Sequence, residues 1–359
     1  MKTRPEHFSL WQYLLFIAVL AAVMCLCVCV GSVNIALADT LAVFRNALRH
    51  TPQPEGLPSS ILLTVRLPRV LCVALSGAAL SLAGASMQGL LKNPLADGST
   101  LGVSSGAALG AVLAIALGIT FPGLPFAGTM VMAVIFAFLS LLLILALAYR
   151  LDYSLSTNTI ILIGVIYSMF VSSAMSVVVT FASDKLKSIT FWTMGSLQGS
   201  SFQNAAVLAG TLAVCGTVLG LHARELNAFA VGEDNARNIG VNVRRTKLVV
   251  LVASSVLIGV CVSVGGTIGF VGLVTPHMVR MLSGPNHKRL LPASMLAGAG
   301  FLLLADLAAP NFICYCRIVY FINFDYKIPF ILTTFYRKIF VFTYLLNIGI
   351  FSDIIVQYY

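Results

Sequence analysis

Few residues in this sequence have the types and spacing that covalent or metal chemistry requires. Cys25, Cys27 and Cys29 alternate inside the first apolar segment and three more cysteines lie singly in others, so no metal-ligand or disulfide spacing emerges. No Gly-x-x-x-x-Gly-Lys-Ser/Thr phosphate loop occurs. The scattered serines and cysteines have no base within the same apolar segment. The sequence therefore predicts a protein without enzymatic activity, without a metal site and without a cofactor of its own.

The composition places the chain in a lipid bilayer. Of 359 residues, 59% are hydrophobic and 9% carry charge, against roughly a quarter charged in ordinary soluble domains. Five windows contain no Asp, Glu, Lys, Arg or His, and each can hold one or two spans of about 20 residues. They are Phe8 to Ala38, Gly98 to Tyr149, Tyr153 to Ser183, Ser188 to Leu221 and Leu248 to Pro276.

The positions of charge, Pro and Gly predict an all-α polytopic membrane protein with about nine recognisable spans. These are expected near residues 10–37, 68–90, 95–116, 126–149, 155–181, 195–221, 247–266, 268–283 and 290–308.

The basic residues lie in short connections between the apolar segments, where membrane topology explains the net charge of +10 and nucleic acid is not needed as a partner. A cytoplasmic N-terminus places Lys92, Arg150 and the stretch 224–247 on the cytoplasmic side. The first external connection is an exception, because it carries four arginines: Arg45, Arg49, Arg66 and Arg69.

Small residues recur at the spacing that lets helix backbones approach closely. The three stripes are Gly77, Ser81, Ala85 and Gly89; Gly102, Gly106 and Gly110; and Gly164, Ser168, Ser172, Ser176 and Thr180. For the third stripe two interpretations stay open, namely helix packing and a weakly polar wall of a substrate pathway.

The longest hydrophilic stretch is internal, from His222 to Lys247, and predicts a short surface helix. Glu233 and Asp234 suit the positive end of a helix dipole, and Gly240 can take the left-handed conformation that ends the helix. A solvated loop helix without a partner is the alternative.

Several motifs in order resemble one transporter family. They are Arg66-Leu-Pro-Arg69, Gln88-Gly-Leu-Leu-Lys-Asn-Pro-Leu-Ala-Asp97, Leu101-Gly-Val-Ser-Ser-Gly106, Phe191-Trp-Thr-Met-Gly-Ser196, the run from Ala230 to Arg245, and Gly269-Phe-Val-Gly-Leu-Val-Thr-Pro-His277. Over about residues 10–308 the chain is similar to the iron-siderophore, haem and cobalamin permease family of ABC importers.

The resemblance implies a ten-helix permease subunit in a bacterial inner or plasma membrane. It implies a second permease copy or paralogue, two ABC ATPase subunits that hold ATP and Mg²⁺, and an extracytoplasmic substrate-binding protein. The cargo would be a ferric siderophore, or a haem- or cobalamin-type chelate. The alternatives are a secondary transporter, which the lack of ionisable residues in the longest spans disfavours, and a transport-incompetent truncated permease copy.

The resemblance also assigns roles to residues of this sequence. Arg66 and Arg69 would dock the binding protein, with snorkelling at the interface as the alternative. The ATPase coupling residues would be Gly232, Glu233, Asp234, Ala236, Arg237, Gly240, Val241 and Arg244. The translocation pathway would use Gly164, Ser168, Ser172 and Ser176.

The similarity breaks off near Pro310. Residues 1–308 form the predicted permease domain, whereas Asn311 to Tyr359 contains no Ala and seven of the eleven tyrosines. The last helix of the family is absent or replaced in residues 309–359. A frameshift or a degenerate gene copy is our hypothesis for this apolar tail, and a genuine lineage-specific ending is the alternative.

Overall fold

The computed structural model describes residues 8–30, 37–49, 57–98, 100–120, 127–153 and 156–323, with side chains described through residue 309. Every regular element in these ranges is helical, which confirms the all-α class. The helices are α1 Leu10–Cys29, α2 Leu37–Leu48, α3 Leu57–Ser60, α4 Leu67–Leu91, α5 Val103–Ala116, α6 Ala127–Leu151, α7 Thr157–Phe181, α8 Leu186–Thr193, α9 Phe202–Leu221, α10 Ala223–Val231, α11 Glu233–Asn238, α12 Val243–Gly265, α13 Val271–Ser283 and α14 His287–Asn323. A π-helical turn, Ile61–Arg66, joins α3 to α4, and a 3₁₀ turn, Ser183–Lys185, precedes α8.

Seven helices in the described ranges are long and apolar enough to cross a membrane. They are Trp11–Cys29, Ile61–Leu91, Gly128–Leu151, Thr157–Phe181, Phe202–Leu221, Val243–Gly265 and His287–Ala309. The other two predicted spans coincide with α5, of 14 residues, and α13, of 13 residues. Each of the nine predicted segments therefore contains a helix, as the polytopic prediction requires.

Several predicted boundaries are wrong. The span expected at 95–116 begins only at Val103, because Asp97 and Thr100 form a reciprocal turn: the Asp97 amide donates to Thr100 Oγ1 at 3.0 Å, and the Thr100 amide to Asp97 Oδ1 at 3.1 Å. The first helix ends at Cys29, since Val30 is extended. The span expected from 195 begins at Phe202, where the Ser201 hydroxyl accepts the Asn204 amide at 3.3 Å.

Helix α14 extends to Asn323, beyond the expected end at 308. A tenth helix within residues 324–359 lies outside the described residues. The chain divides into two compact units, Met1–Leu307 and Ala308–Tyr359. All side-chain interactions described below belong to the first unit.

Helix α4 lies at the centre of the first unit and packs against α9, α12 and α13. A Cβ atom at Gly77 would overlap the carbonyl of Gly298 in α14, and one at Gly84 would overlap the carbonyl of Gly272 in α13. Such contacts need small residues, because lipid provides no hydrophobic force between helices and close packing must hold them together. The packing role predicted for the first small-residue stripe is confirmed at Gly77.

The second small-residue stripe also packs. A Cβ at Gly106 would meet the Ser140 side chain of α6, and one at Gly110 would meet the Met132 carbonyl of the same helix. The outward faces of α6, α7 and α9 expose many large apolar side chains, as expected of helices that face lipid or another membrane subunit.

Candidate functional site

Residues 222–247, the stretch for which a coupling role is expected, contain two short helices, α10 and α11. We call this stretch the coupling segment. Gly232 separates the helices with φ 146°, a conformation that favours glycine. Gly240 ends α11 with φ 89°, and its amide donates to the Arg237 carbonyl at 2.9 Å. The Val241 amide donates to the Ala236 carbonyl at 3.0 Å, which completes a Schellman motif. The predicted left-handed stop at Gly240 is confirmed.

Helix α10 is anchored to the helix bundle by apolar and polar contacts. Leu226 and Phe229 are completely buried. The Asn227 amide group donates to Asn286 Oδ1 at 2.9 Å, and the backbone amide of His287 donates to Asn227 Oδ1 at 2.8 Å. The coupling segment is therefore fixed to the start of α14.

Helix α11 is connected to two spans through a single carboxylate. Lys247 Nζ, in α12, donates to Glu233 Oε2 at 2.8 Å, and Thr157 Oγ1, at the start of α7, donates to Glu233 Oε1 at 3.1 Å. The Lys247 side chain is 0% exposed and that of Glu233 is 23% exposed. We call Glu233, Lys247 and Thr157 the carboxylate node.

Sequence reasoning missed Lys247 and Thr157 as partners of Glu233. One signal was available, because Lys247 directly precedes the charge-free window that begins at Leu248. An ionisable residue at the edge of a span needs a partner, and partners at this depth tend to be functional.

The expected coupling residues divide into exposed and internal ones. Asp234, Arg237, Gly240 and Arg244 are exposed, whereas Gly232, Glu233 and Val241 are half-buried. Ala236 is 0% exposed, so its side chain packs α11 against the rest of the protein and is not available to a partner.

Two features of this surface, one contact and one pair of exposed side chains, were not expected from sequence. The Arg244 guanidinium lies 4.7 Å from the centre of the Tyr149 ring, a cation–π contact with the end of α6. Val231 and Ile239 are apolar, yet 74% and 71% exposed. The outer surface of the coupling segment thus presents apolar side chains next to charges, a combination typical of a protein-binding surface.

At the opposite end of the bundle, Arg66 and Arg69 contact other helices of their own chain. Arg66 Nη1 donates to the carbonyl oxygens of Val28 at 2.8 Å and Cys29 at 3.0 Å, which caps the carboxyl end of α1. Arg69 Nη2 forms an ion pair with Asp306 Oδ1 of α14 at 2.8 Å. Both arginines stay partly accessible, so their predicted docking role stays a prediction.

The third small-residue stripe, on α7, lies partly in a helix contact and partly along an open groove, and its role as a pathway wall stays a prediction. Gly164 is buried, and a Cβ there would meet the Thr100 carbonyl, so this position serves packing. Ser168 and Ser172 line an open groove of 460 Å³, together with Thr100, Val165, Met169 and Ser173. Ser176 is exposed, and its hydroxyl donates to the Ser172 carbonyl at 3.1 Å.

A bundle of helices long and apolar enough to cross a membrane, with a capped helical segment exposed between two of them, defines a polytopic membrane protein. The profile of the FecCD transport family matches residues 19–319, and the chain belongs to this family.

Individual relatives agree with this membership. The uncharacterized ABC transporter permease protein YvrB of Bacillus subtilis is 40% identical over 306 residues, which is 84% of this chain and 86% of the relative. The hemin transport system permease protein HmuU of Yersinia pestis is 40% identical over 253 residues, 69% of this chain and 75% of the relative.

A solved structure of an inward-facing ABC transporter, assigned to the metal-chelate type, superposes with a TM-score of 0.73 at 30% identity. The match covers 83% of this chain and 90% of the other. The protein is therefore a membrane permease subunit of an ABC importer, and its curated relatives are permease subunits, not catalytic ones.

Proposed function

We propose that this chain moves a ferric siderophore, or a haem- or cobalamin-type chelate, into the cytoplasm as part of a binding-protein-dependent importer. The observation that carries the proposal is the shared cargo chemistry of its relatives. Besides the hemin permease, they include the Fe(3+) dicitrate permease FecC of Escherichia coli, 35% identical over 262 residues, and a cobalamin permease of Halobacterium salinarum, 38% identical over 261 residues. All three cargoes are bulky metal complexes.

A second candidate cargo is an oxyanion. The molybdate import permease MolB of Haemophilus influenzae is 35% identical over 257 residues, so the fold is compatible with a much smaller, charged substrate. The serine-lined groove of α7 is weakly polar and carries no formal charge. This lining favours a large complex that is selected elsewhere over a small anion that would need charged ligands.

The proposed assembly has partners at both ends of the bundle. Two ATPase subunits that hold ATP and Mg²⁺ bind the coupling segments of two permease chains, which places this end and the N-terminus in the cytoplasm. A substrate-binding protein docks at the opposite end, near Arg66 and Arg69. The exposed apolar side chains of Val231 and Ile239, which flank α11, and the accessible guanidinium groups support these two surfaces.

Transport in proteoliposomes tests the proposal. The vesicles contain the chain with its ATPase subunits, enclosed MgATP and external binding protein, and they receive a radioiron siderophore, haem, cyanocobalamin or molybdate. We expect ATP-dependent accumulation of the ferric siderophore. Accumulation of haem or cobalamin alone would change the cargo within the chelate class, and accumulation of molybdate alone would establish the second candidate.

Two further experiments test the class of transporter and the orientation of the chain in the membrane. Uptake that needs an ion gradient and no ATPase would overturn the proposal in favour of a secondary transporter. The purified ATPase should bind inverted membrane vesicles that contain the chain and should not bind right-side-out vesicles. The opposite preference would reverse the proposed orientation.

A further inference from the structure

We propose that the carboxylate node is the connection through which movement of the coupling segment reaches the groove-lining helix α7, so that Glu233, Lys247 and Thr157 are positioning residues for transport. This inference rests on the proposed function of the coupling segment as the ATPase contact. It adds which residues transmit the movement and which helix receives it.

The geometry places one side chain between three helices. Glu233 is the first residue of α11, Lys247 lies in α12 one turn from its start, and Thr157 is the first residue of α7. The two carboxylate oxygens are used separately, Oε2 by Lys247 at 2.8 Å and Oε1 by Thr157 at 3.1 Å. A displacement of α11 therefore acts on both spans through the same carboxylate.

Burial makes the Glu233–Lys247 contact difficult to open. The Lys247 side chain has no exposure to solvent, and a buried ammonium that loses a carboxylate partner loses compensation for its desolvation. Separation of α11 from α12 would break this buried contact and is therefore unfavourable. The start of α12 and α11 should consequently move as one body during transport.

Packing determines which helix can respond. In the candidate span Ile61–Leu91, which includes α4, 89% of the apolar window is buried inside the protein. The corresponding share in α7 is 22%. Helix α4 also has close backbone contacts with two other helices, at Gly77 and Gly84, whereas α7 has a close backbone contact at Gly164 with the connection before α5. A force applied at Thr157 meets less resistance in α7, and the groove residues Ser168 and Ser172 lie on this same helix.

The test compares Glu233→Gln with Asp184→Asn in the reconstituted importer. Gln keeps the size of Glu and a hydrogen-bond acceptor for Thr157, but it removes the charge that pairs with Lys247. Asp184→Asn also converts one carboxylate into an amide, but it does so outside the coupling segment, in the 3₁₀ turn before α8, where the ion pair of Asp184 with Lys185 is exposed. Three quantities are measured: ATPase binding, ATP hydrolysis, and cargo transported per ATP hydrolysed.

We expect Glu233→Gln to bind the ATPase and hydrolyse ATP while cargo per ATP falls by at least about fivefold, the lower end of coupling between linked sites. Thr157→Val should lower the ratio less, because it removes one neutral hydrogen bond. Asp184→Asn should match the wild type, because an exposed ion pair contributes little. An unchanged ratio in Glu233→Gln overturns the inference.

A charge reversal covers the case in which Glu233→Gln does not fold. Glu233→Lys and Lys247→Glu should each abolish coupled transport, and the double variant should restore a substantial part of it, since the pair is re-formed in the opposite sense. Failure of the double variant, when it is folded by size-exclusion chromatography and binds ATPase, overturns the inference.

A surface variant separates this inference from the proposed function. Arg237→Glu reverses a charge on the exposed face of α11 and does not touch the node. If Arg237→Glu prevents ATPase binding while Glu233→Gln leaves cargo per ATP unchanged, only the inference about the carboxylate node is wrong. If Arg237→Glu leaves ATPase binding intact, the proposed contact surface is itself wrong.

Discussion

At Gly84, helices α4 and α13 approach each other through main-chain atoms. A Cβ there would overlap the carbonyl oxygen, the carbonyl carbon and the Cα of Gly272 at once. Overlap with backbone cannot be relieved by a side-chain rotation, in contrast to overlap with the end of a flexible side chain. Alanine at this position would force the two helices apart.

We predict that Gly84→Ala lowers the melting temperature of the detergent-solubilised protein. Overpacking costs about 1–3 kcal/mol, which corresponds to roughly 3–10 °C. Thermal unfolding followed by size-exclusion fluorescence is the measurement. Gly210→Ala in α9 is the matched control, because nothing lies within 4 Å of its added methyl group and it should keep or slightly raise the melting temperature. Equal stability of the two variants would show that the α4–α13 crossing is looser than described.

At the scale of single residues, the sequence predicted those features whose cause lies in the neighbouring residues. Gly240 could be predicted as a helix stop because a left-handed residue is recognised from its own type and its neighbours. The contact between Glu233 and Thr157 could not be predicted, because the two residues are 76 positions apart and meet only through the packing of α7. For the same reason the contacts of Arg69 with Asp306, 237 residues apart, were not foreseen.

At the scale of elements, α11 shows how a six-residue helix can keep a defined shape. It is flanked by Gly232 and Gly240, both with positive φ, and the Schellman hydrogen bonds satisfy its last carbonyl groups. So short a helix has little intrinsic stability. Its caps and the carboxylate node must therefore hold its conformation.

We predict that Gly240→Val weakens binding of the ATPase by roughly tenfold or more. A β-branched residue at φ 89° is strained by about 1–3 kcal/mol, and this strain disfavours the shape that the partner recognises. Titration of the ATPase onto nanodiscs that contain the permease measures the affinity. Gly199→Val, at an open position outside the coupling segment, should leave the affinity unchanged. Wild-type affinity of Gly240→Val would mean that the end of α11 is not part of the contact.

The long spans were predictable because the apolar surface of each must continue through the bilayer core, which leaves a signal about 20 residues long. The short helices α2 and α8 were missed, as was the π-helical turn before α4. Their sequences contain charges or alternate in polarity, and hydropathy alone does not distinguish them from loops. The late start of α5 has a similar cause, since the Asp97–Thr100 turn lies in a mostly uncharged stretch.

At the scale of the whole molecule, the chain consists of the unit Met1–Leu307 and the unit Ala308–Tyr359. The FecCD profile ends at residue 319, close to the change of composition at Pro310. If the following segment derives from another reading frame, it has not been selected to pack against the permease. The first unit should then not depend on it.

We predict that a chain ending at Asn323 keeps the expression level of the full-length protein and a melting temperature within about 2 °C of it, less than the effect of 1 kcal/mol in a protein of this size. Thermal unfolding of both chains in the same detergent is the measurement. Resequencing of the coding DNA across positions 300–330 accompanies it. A large loss of stability, with no other frame that encodes a conventional last helix, would establish the ending as genuine.

The serine-lined groove has a consequence for mutational tolerance. Ser168 and Ser172 contribute to the groove of α7 but lie on a helix face with little internal packing, unlike Gly164 on the same helix. Replacement of these serines changes the chemistry of the groove at little cost to folding, whereas replacement of the glycines in α4 does not have this freedom. The groove surface on α7 can therefore vary in evolution, or be engineered, without disturbing the close helix packing at the glycines of α4.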